Sequence, residues 1–136
     1  MILLHVLQLL QDEGLGTIDQ DLFYGKAPIV DGESKTGVVI FERGGNVNHR
    51  NTGLAQTFDM HSRHQFDAYA ADQLEKILEK FQELWPTCTL PQVPQYSTKT
   101  YENTTINPIT NVENLGLDEE GRNVFRLSGE VIYRKG

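Results

Sequence analysis

The spacing of apolar positions along the chain predicts two helices. Apolar residues recur every three or four positions over residues 2–13 and again over residues 66–85. Gly14 is expected to end the first helix and Pro86 the second. Asp67 lies near the start of the second helix, where a carboxylate favours the exposed N–H groups. The residues that we expect this helix to pack onto a sheet are Phe66, Ala70, Leu74, Ile77, Leu78 and Phe81.

Five other segments have the composition of β-strands. They are residues 21–24, 37–42, 54–65, 96–107 and 123–134. The apolar run at 37–42 is continuous, which favours an internal strand that is covered on both faces. The predicted order is therefore α-β-β-β-α-β-β, a single α+β domain over residues 1–136. We expect an antiparallel or mixed sheet with both helices packed on one face.

The remaining segments are predicted to be loops or turns. Residues 27–35, 43–53 and 108–121 are polar or rich in glycine and asparagine. Two of these loops exceed ten residues, and loops of that length in a small domain are usually functional or become ordered on binding. The acidic residues Asp118, Glu119 and Glu120 precede Gly121, and we interpret them as a turn between two strands.

Composition narrows the possible functions. The net charge of −7 over 136 residues argues against binding nucleic acid through its phosphates. Cys88 is the single cysteine, so no intrachain disulfide can form, and a buried thiol in a reducing compartment is expected. The apolar N-terminus lacks a basic region and a cleavage site. We therefore interpret it as an intact amphipathic helix of a soluble protein made in the cytoplasm, not a targeting or membrane segment.

Histidines provide the one candidate for catalytic chemistry. His49, His61 and His64, with Asp59, form the basis of a minor hypothesis, a small metal-dependent enzyme. However, residues 61 and 64 fall on a predicted strand, where a spacing of three points side chains to opposite faces. The chain also lacks a nucleophile motif and a phosphate-binding loop. We therefore predict neither an enzyme nor a cofactor.

Arginines around the glycine-asparagine loop suggest a protein interface. Arg43, Arg50 and Arg63 could pair with carboxylates of a neighbouring subunit. Trp85, in contrast, is expected to be a core residue beside Phe81. The complete set of candidate subunit or tube-contact residues is Arg43, Asn46, Asn48, His49, Arg50, Arg63, Asp118, Glu119, Arg122 and Arg126.

Five motifs in order carry a resemblance to a known family. They are LLHVLQLLQDEGLG at 3–16, FYG at 23–25, GVVIFERGG at 37–45, TFDMHSRHQFDAYAADQLEKILEKF at 57–81, and NLGLDEEGRNVF at 114–125. Together they span nearly the whole chain. In their order and spacing the chain resembles the minor capsid and tail-terminator (tail-completion) proteins of long-tailed bacteriophages.

The resemblance implies a structural virion protein at the head–tail interface. Such proteins assemble into a ring, commonly a hexamer, that caps the tail tube and ends its polymerisation. The implied partners are further copies of the chain, the tail tube protein and the head-side connector protein, with DNA passing through the lumen unbound and no membrane involved. A head-side adaptor or stopper of the connector is the alternative within the same assembly.

Overall fold

The computed structural model describes residues 2–43, 47–49, 53–94 and 96–134, with backbone alone at 33–34, 47–49 and 53. Two helices and ten strands are present in this part of the chain. They are α1 (Ile2–Asp12), β1 (Leu22–Tyr24), β2 (Ile29–Val30), β3 (Glu33–Ser34), β4 (Gly37–Glu42), β5 (Val47–His49), β6 (Gly53–His64), α2 (Asp67–Glu83), β7 (Cys88–Leu90), β8 (Tyr101–Pro108), β9 (Glu113–Leu117) and β10 (Asn123–Tyr133).

The main sheet is built around the pair β6 and β10. These strands are antiparallel along their full lengths, from Asn123 opposite His64 to Tyr133 opposite Leu54. The strand order is β1-β4-β6-β10-β8-β7, with β5 added to β6 and β9 added to β10. Only the pairing of β1 with β4 is parallel among the described strands, so the sheet is mixed, as one of the two predicted arrangements had it.

Both helices contribute to one apolar core. Helix α2 buries Ala70, Leu74, Ile77 and Phe81, four of the six residues predicted to face the sheet. Helix α1 is buried around most of its circumference rather than along a single stripe. Their core partners come from one face of the sheet, which we call the inner face, and include Val38, Ile40, Phe58, Met60, Leu127 and Val131.

Local backbone chemistry sets the ends of the helices. Helix α1 closes through Gly14, whose φ of 77° suits glycine, and the N–H of Leu15 reaches the carbonyl of Leu10 at 2.9 Å. Asp67 lies in the first turn of α2, as predicted. Phe66, however, is the N-cap residue and is exposed, so its predicted core position was wrong. Leu78 is only half-buried.

Several other expectations need correction. The predicted order missed five short strands: β2 and β3 within residues 27–35, β5 within 43–53, β7, and β9 within 108–121. Each of these strands pairs with a strand from another part of the sequence or with its neighbour in a tight hairpin. Apolar periodicity does not reveal such pairings. Trp85 is exposed rather than part of the core, and Cys88 is half-buried rather than buried.

The described helices include none with the length and apolar character needed to span a membrane.

The core position of α2 gives the first prediction. Leu74 is fully buried, so Leu74→Asp would place a charge without a partner among apolar side chains. We expect a loss of about 4 kcal/mol or more in the free energy of unfolding, measured by urea denaturation. The matched control is Glu75→Asp on the exposed side of the same helix, which should change stability little. Equal effects of the two substitutions would contradict the assigned helix face.

Candidate protein interface on the outer face of the sheet

The sheet face opposite the helices, here called the outer face, carries polar and charged strand residues. On β6 these are Asp59, His61 and Arg63, which alternate with the core-facing residues. Strand β10 places Arg126 opposite His61 and Ser128 opposite Asp59. No described helix belongs to this face, since the buried residues of both helices join the inner core.

A groove of about 680 Å³ crosses one end of the outer face. Its floor is formed by Val39, Phe41, His61 and Arg63. One rim comes from the segment after β1 up to Ile29 of β2, and the other comes from the end of β9 and the β9–β10 turn. The rim residues are Gly25, Lys26, Ala27, Ile29, Leu117, Asp118, Glu119, Glu120 and Arg122.

Hydrogen bonds to Asp118 hold the β9–β10 turn together. The Asp118 N–H donates to the carbonyl of Arg122 at 2.9 Å, and the Gly121 N–H donates to the carbonyl of Asp118 at 3.0 Å. Gly121 has a φ of 76°, the left-handed conformation that a three-residue hairpin loop of this kind requires. The Asp118 carboxylate also accepts the N–H groups of Glu120 and Arg122, both at 2.9 Å. The acidic turn between two strands is thus confirmed.

The same carboxylate joins the turn to the sheet. Arg122 approaches Asp118 at 3.1 Å and Glu120 at 2.5 Å, and Arg63 of β6 lies 3.7 Å from Asp118. Burial alone would raise the pKa of Asp118, but the backbone N–H donors and the positive charge of Arg122 outweigh it, and the pKa is lowered from 3.8. Asp118 therefore stays ionised and holds two arginines at the rim of the groove.

The other outer-face arginines also have partners within the chain. Arg126 lies 3.2 Å from Glu113 of β9, and Arg43 lies 3.8 Å from Asp59. Asp59 is nearly buried, and its carboxylate accepts a short hydrogen bond from the Ser128 hydroxyl. Arg43 and Arg63, which the sequence predicted to pair with a neighbouring subunit, thus each have a carboxylate partner within the chain.

His61 lies at the floor of the groove as a neutral side chain. Burial is the main reason that its pKa is lowered, and the charge of Arg63 lowers it further, while Asp59 opposes this effect. Its ring packs edge-on against Phe41, with 5.0 Å between the ring centroids. At neutral pH, His61 is therefore a polar but uncharged part of the groove floor, between the apolar Phe41 and the charged Arg63.

Exposed apolar residues surround this charged network. Ile29 of β2 is 73% exposed, and Leu117 of β9 is 68% exposed, on opposite rims of the groove. Leu115, also on β9, is 44% exposed. Apolar side chains that cluster at the rim of a concave surface are typical of protein contact sites.

The structure brings together part of the candidate interface set. Arg63, Asp118, Glu119 and Arg122 line the groove. Arg43 and Arg126 belong to the ion pairs of the same face. Asn48 and His49 lie on β5, where the backbone alone is described, at the opposite end of β6. Asn46 and Arg50 lie outside the described residues.

Two of the three histidines of the metal-enzyme hypothesis, His61 and His64, lie on opposite faces of β6, and the side chain of His49 lies outside the described part of the chain. His61 packs on Phe41 at the outer face, whereas His64 contacts Tyr69 of α2 and accepts the Phe66 N–H at 3.2 Å. The prediction that this spacing places them on opposite faces is confirmed. Across the described part of the chain, no group of three or more histidine, cysteine, aspartate or glutamate residues could hold a metal ion.

Sequence reasoning missed several rim residues. Ile29 falls in the segment 27–35, which was predicted to be a polar loop, and Lys26 lies just before it. Leu117 falls in the predicted loop 108–121, as does its exposed neighbour Leu115. The alternation of Leu115 and Leu117 around Gly116, directly before an acidic turn, was a usable hairpin signal. Glu113 pairs with Arg126 across the β9–β10 pair, and only knowledge of that register would have identified it.

Comparison of the chain with protein-family models, with curated proteins and with solved structures found no match. The functional interpretation therefore depends on the residues themselves.

The Asp118 network gives the second prediction. Asp118→Asn should keep the backbone hydrogen bonds but lose the charge that holds Arg63 and Arg122, at a cost of about 1 kcal/mol at pH 7. The pKa of Asp118 is lower in the folded protein than in the unfolded chain. The ionised carboxylate therefore contributes its full share of the free energy of unfolding above the unfolded-state pKa. That contribution is lost as the pH falls through the folded-state pKa. Urea denaturation at several pH values should show a shallower acid-side decline in the variant.

The control for this substitution is Glu119→Gln. Glu119 is exposed in the same turn and has no ion pair among the described residues. Glu119→Gln should therefore leave the free energy of unfolding at pH 7, and its dependence on acid pH, close to the wild-type values. An unchanged pH profile for Asp118→Asn would contradict the role assigned to Asp118.

Proposed function

We propose that this chain is a structural ring protein of a phage tail, which caps the tail tube, ends its polymerisation and joins the tail to the head-side connector. The observation that carries the proposal is the outer-face groove, whose rims present Ile29 and Leu117 to solvent. The helices stabilise the inner face, so the outer face is available for contacts with other proteins. The ordered motifs that resemble tail-terminator proteins support the same assignment.

The ion pairs of the outer face favour protein contact over catalysis. Arg63 and Arg122 are held by Asp118 before any partner arrives, which reduces the side-chain entropy lost on binding. The mixture of fixed charges and exposed apolar residues matches the composition of protein interfaces, in which arginine is enriched. This surface suits a defined protein partner, such as another copy of the chain or a tube subunit.

The overall charge is compatible with DNA passing through a ring of such subunits. Each chain contributes a net charge of −7, so a ring would repel phosphates on average and would not retain the genome. Virion localisation at the head–tail interface follows from this role. The acidic balance agrees equally with a head-side adaptor, which shares ring symmetry and DNA passage.

Native mass tests the proposal, and it gives the third prediction. The untagged protein should form a closed multimer, alone or on tail tubes, when measured by light scattering or native mass spectrometry. Addition of the protein to growing tubes should stop elongation. Binding to the connector without any effect on tubes would favour the head-side adaptor, and a monomer that ignores both would contradict the ring proposal.

A rim substitution links the assembly to the groove. Leu117→Glu places a charge on an exposed position, so monomer stability should change by no more than about 0.5 kcal/mol, while multimer formation should be lost. Ile109→Glu is the matched control, since Ile109 is also exposed but does not line the groove. Retained assembly in Leu117→Glu, or equal loss in both variants, would contradict a contact at this rim.

A further inference from the structure

Another cavity, which we call the end pocket, lies where the first turns of α2 meet the end of β6 and the start of β4. Its volume is about 380 Å³, and it is lined by Asp21, Thr36, Gly37, His64, Tyr69 and Gln73. His64 directly follows Arg63, which lines the outer-face groove, but its ring lies on the α2 side of β6. The end pocket and the groove therefore lie at the same end of the sheet, on opposite faces.

Asp21 is held in position at the end pocket by three contacts. Its carbonyl accepts the Val38 N–H at 2.8 Å, and its carboxylate accepts the Thr17 N–H at 2.6 Å. Gly37 approaches so closely that a Cβ there would lie 2.5 Å from the Asp21 carbonyl oxygen. Among the described residues, no basic side chain pairs with the Asp21 carboxylate. Asp21 thus presents an unpaired negative charge whose position is set before a ligand binds.

Three aromatic rings cluster beside this charge. The ring centroid of His64 lies 5.0 Å from that of Tyr69 and 6.1 Å from that of Phe66. The Tyr69 and Phe66 rings lie 5.8 Å apart, and both residues are more than half exposed. The Nδ1 atom of His64 accepts the Phe66 N–H, so this nitrogen carries no proton and the ring adds no positive charge. Asp21 therefore carries the one full charge among the residues that line the end pocket.

A fixed carboxylate beside exposed aromatic rings suits a cationic side chain, and arginine in particular. A guanidinium group donates two N–H groups to a carboxylate and also stacks on aromatic rings. An anionic ligand would meet the charge of Asp21 without a compensating cation among the lining residues. An apolar ligand would remove water from the same carboxylate without pairing it. The end pocket is thus a candidate site for an arginine side chain.

Arg134 is the described arginine that is available for such a site. It follows β10, is exposed, and has no carboxylate partner among the described residues. The other described arginines each have such a partner; they are Arg43, Arg63, Arg122 and Arg126.

Arg134 does not reach the end pocket of its own copy. In the antiparallel pair, Asn123 of β10 lies opposite His64, whereas Tyr133, next to Arg134, lies opposite Leu54. Ten residues at about 3.3 Å each separate these two ends of β10 by roughly 30 Å. Arg134 and the end pocket therefore lie at opposite ends of the subunit.

We propose that Arg134 of one copy enters the end pocket of the next copy, where its guanidinium group pairs with Asp21 and stacks on Tyr69. The two surfaces differ and lie at opposite ends of the subunit, so the contact repeats head to tail and generates a ring when its rotation closes. The groove lies at the same end as the pocket, so one neighbouring copy contacts both. This inference rests on the proposed ring function and names the side chains at the subunit contact.

Reversal of the two charges tests this contact and gives a further prediction. Arg134→Asp brings two carboxylates together, and Asp21→Lys brings two cations together. Each variant alone should raise the protein concentration needed for assembly by about tenfold or more, measured by native mass spectrometry. An equimolar mixture should assemble again, because Asp at position 134 of one variant meets Lys at position 21 of the other, and the reciprocal contact has the natural residues.

The matched control for Arg134→Asp is Lys99→Asp. Lys99 is exposed and lies over Tyr101, which contacts Tyr133, so the same charge change is made near the same end of β10. It should leave assembly near wild type. Urea denaturation checks that each variant folds, since Asp21→Lys also removes the acceptor of the Thr17 N–H. Tyr69→Ala provides a second variant that leaves Asp21 intact and should weaken assembly through loss of stacking.

The end pocket is also tested without assembly. N-acetyl-arginine amide is titrated into Arg134→Asp, whose end pocket retains its natural residues, and amide chemical shifts are followed by NMR. We expect shifts at Tyr69 and Gln73 at millimolar ligand, and none with the uncharged analogue N-acetyl-citrulline amide. Absence of shifts with the arginine amide would overturn the cation site.

The outcomes separate the contact from the ring function. A multimer that Arg134→Asp leaves intact, or that Lys99→Asp disrupts equally, would overturn the contact and leave the ring function standing. A mixture of folded variants that fails to assemble would also overturn the contact. A monomer at every concentration, with and without tail tubes, would remove both the contact and the ring proposal.

Discussion

The antiparallel pairing of β6 with β10 is the constraint on which the rest of the structure depends. Eleven consecutive partners run from Asn123 and His64 to Tyr133 and Leu54, which fixes the register of both strands. That register sets Leu127 beside Met60 on the inner face, under the helices, and Arg126 beside His61 on the outer face. A slip of one residue would exchange these two sets, so burial of the core also determines where the charges lie.

The sequence predicted the long elements well because apolar periodicity determines them directly. Strand β4 and helix α2 were located within a few residues, and α2 buries Leu74 and Ile77 as expected. Phe66 and Trp85 were misassigned because each lies just beyond an end of α2, where a periodic pattern no longer implies burial. The short strands β5 and β9 exist through their partners, β6 and β10, and not through their own composition.

The candidate site was only partly predictable for a related reason. The composition of a segment can suggest an interface rich in arginine and carboxylate residues. Which of these residues pair with each other depends on the register of the strands that carry them. Arg63 reaches Asp118 only because β10 brings the β9–β10 turn beside the end of β6. Consequently the sequence identified four residues that line the groove but not their mutual pairing, and it missed Ile29 on the opposite rim.

The central position of β10 has a consequence for how the sheet forms. A long stretch of chain, including α2 and three other strands, separates β6 from β10 in the sequence. The edge of β6 that β10 covers therefore remains unpaired until β10 has been synthesised. Contacts so distant in sequence form late, because a large loop must close first. During that interval the exposed edge of β6 could accept a strand from a neighbouring nascent chain. Crowding of ribosomes on one message would therefore favour strand exchange, and a chaperone that shields this edge would favour the correct sheet.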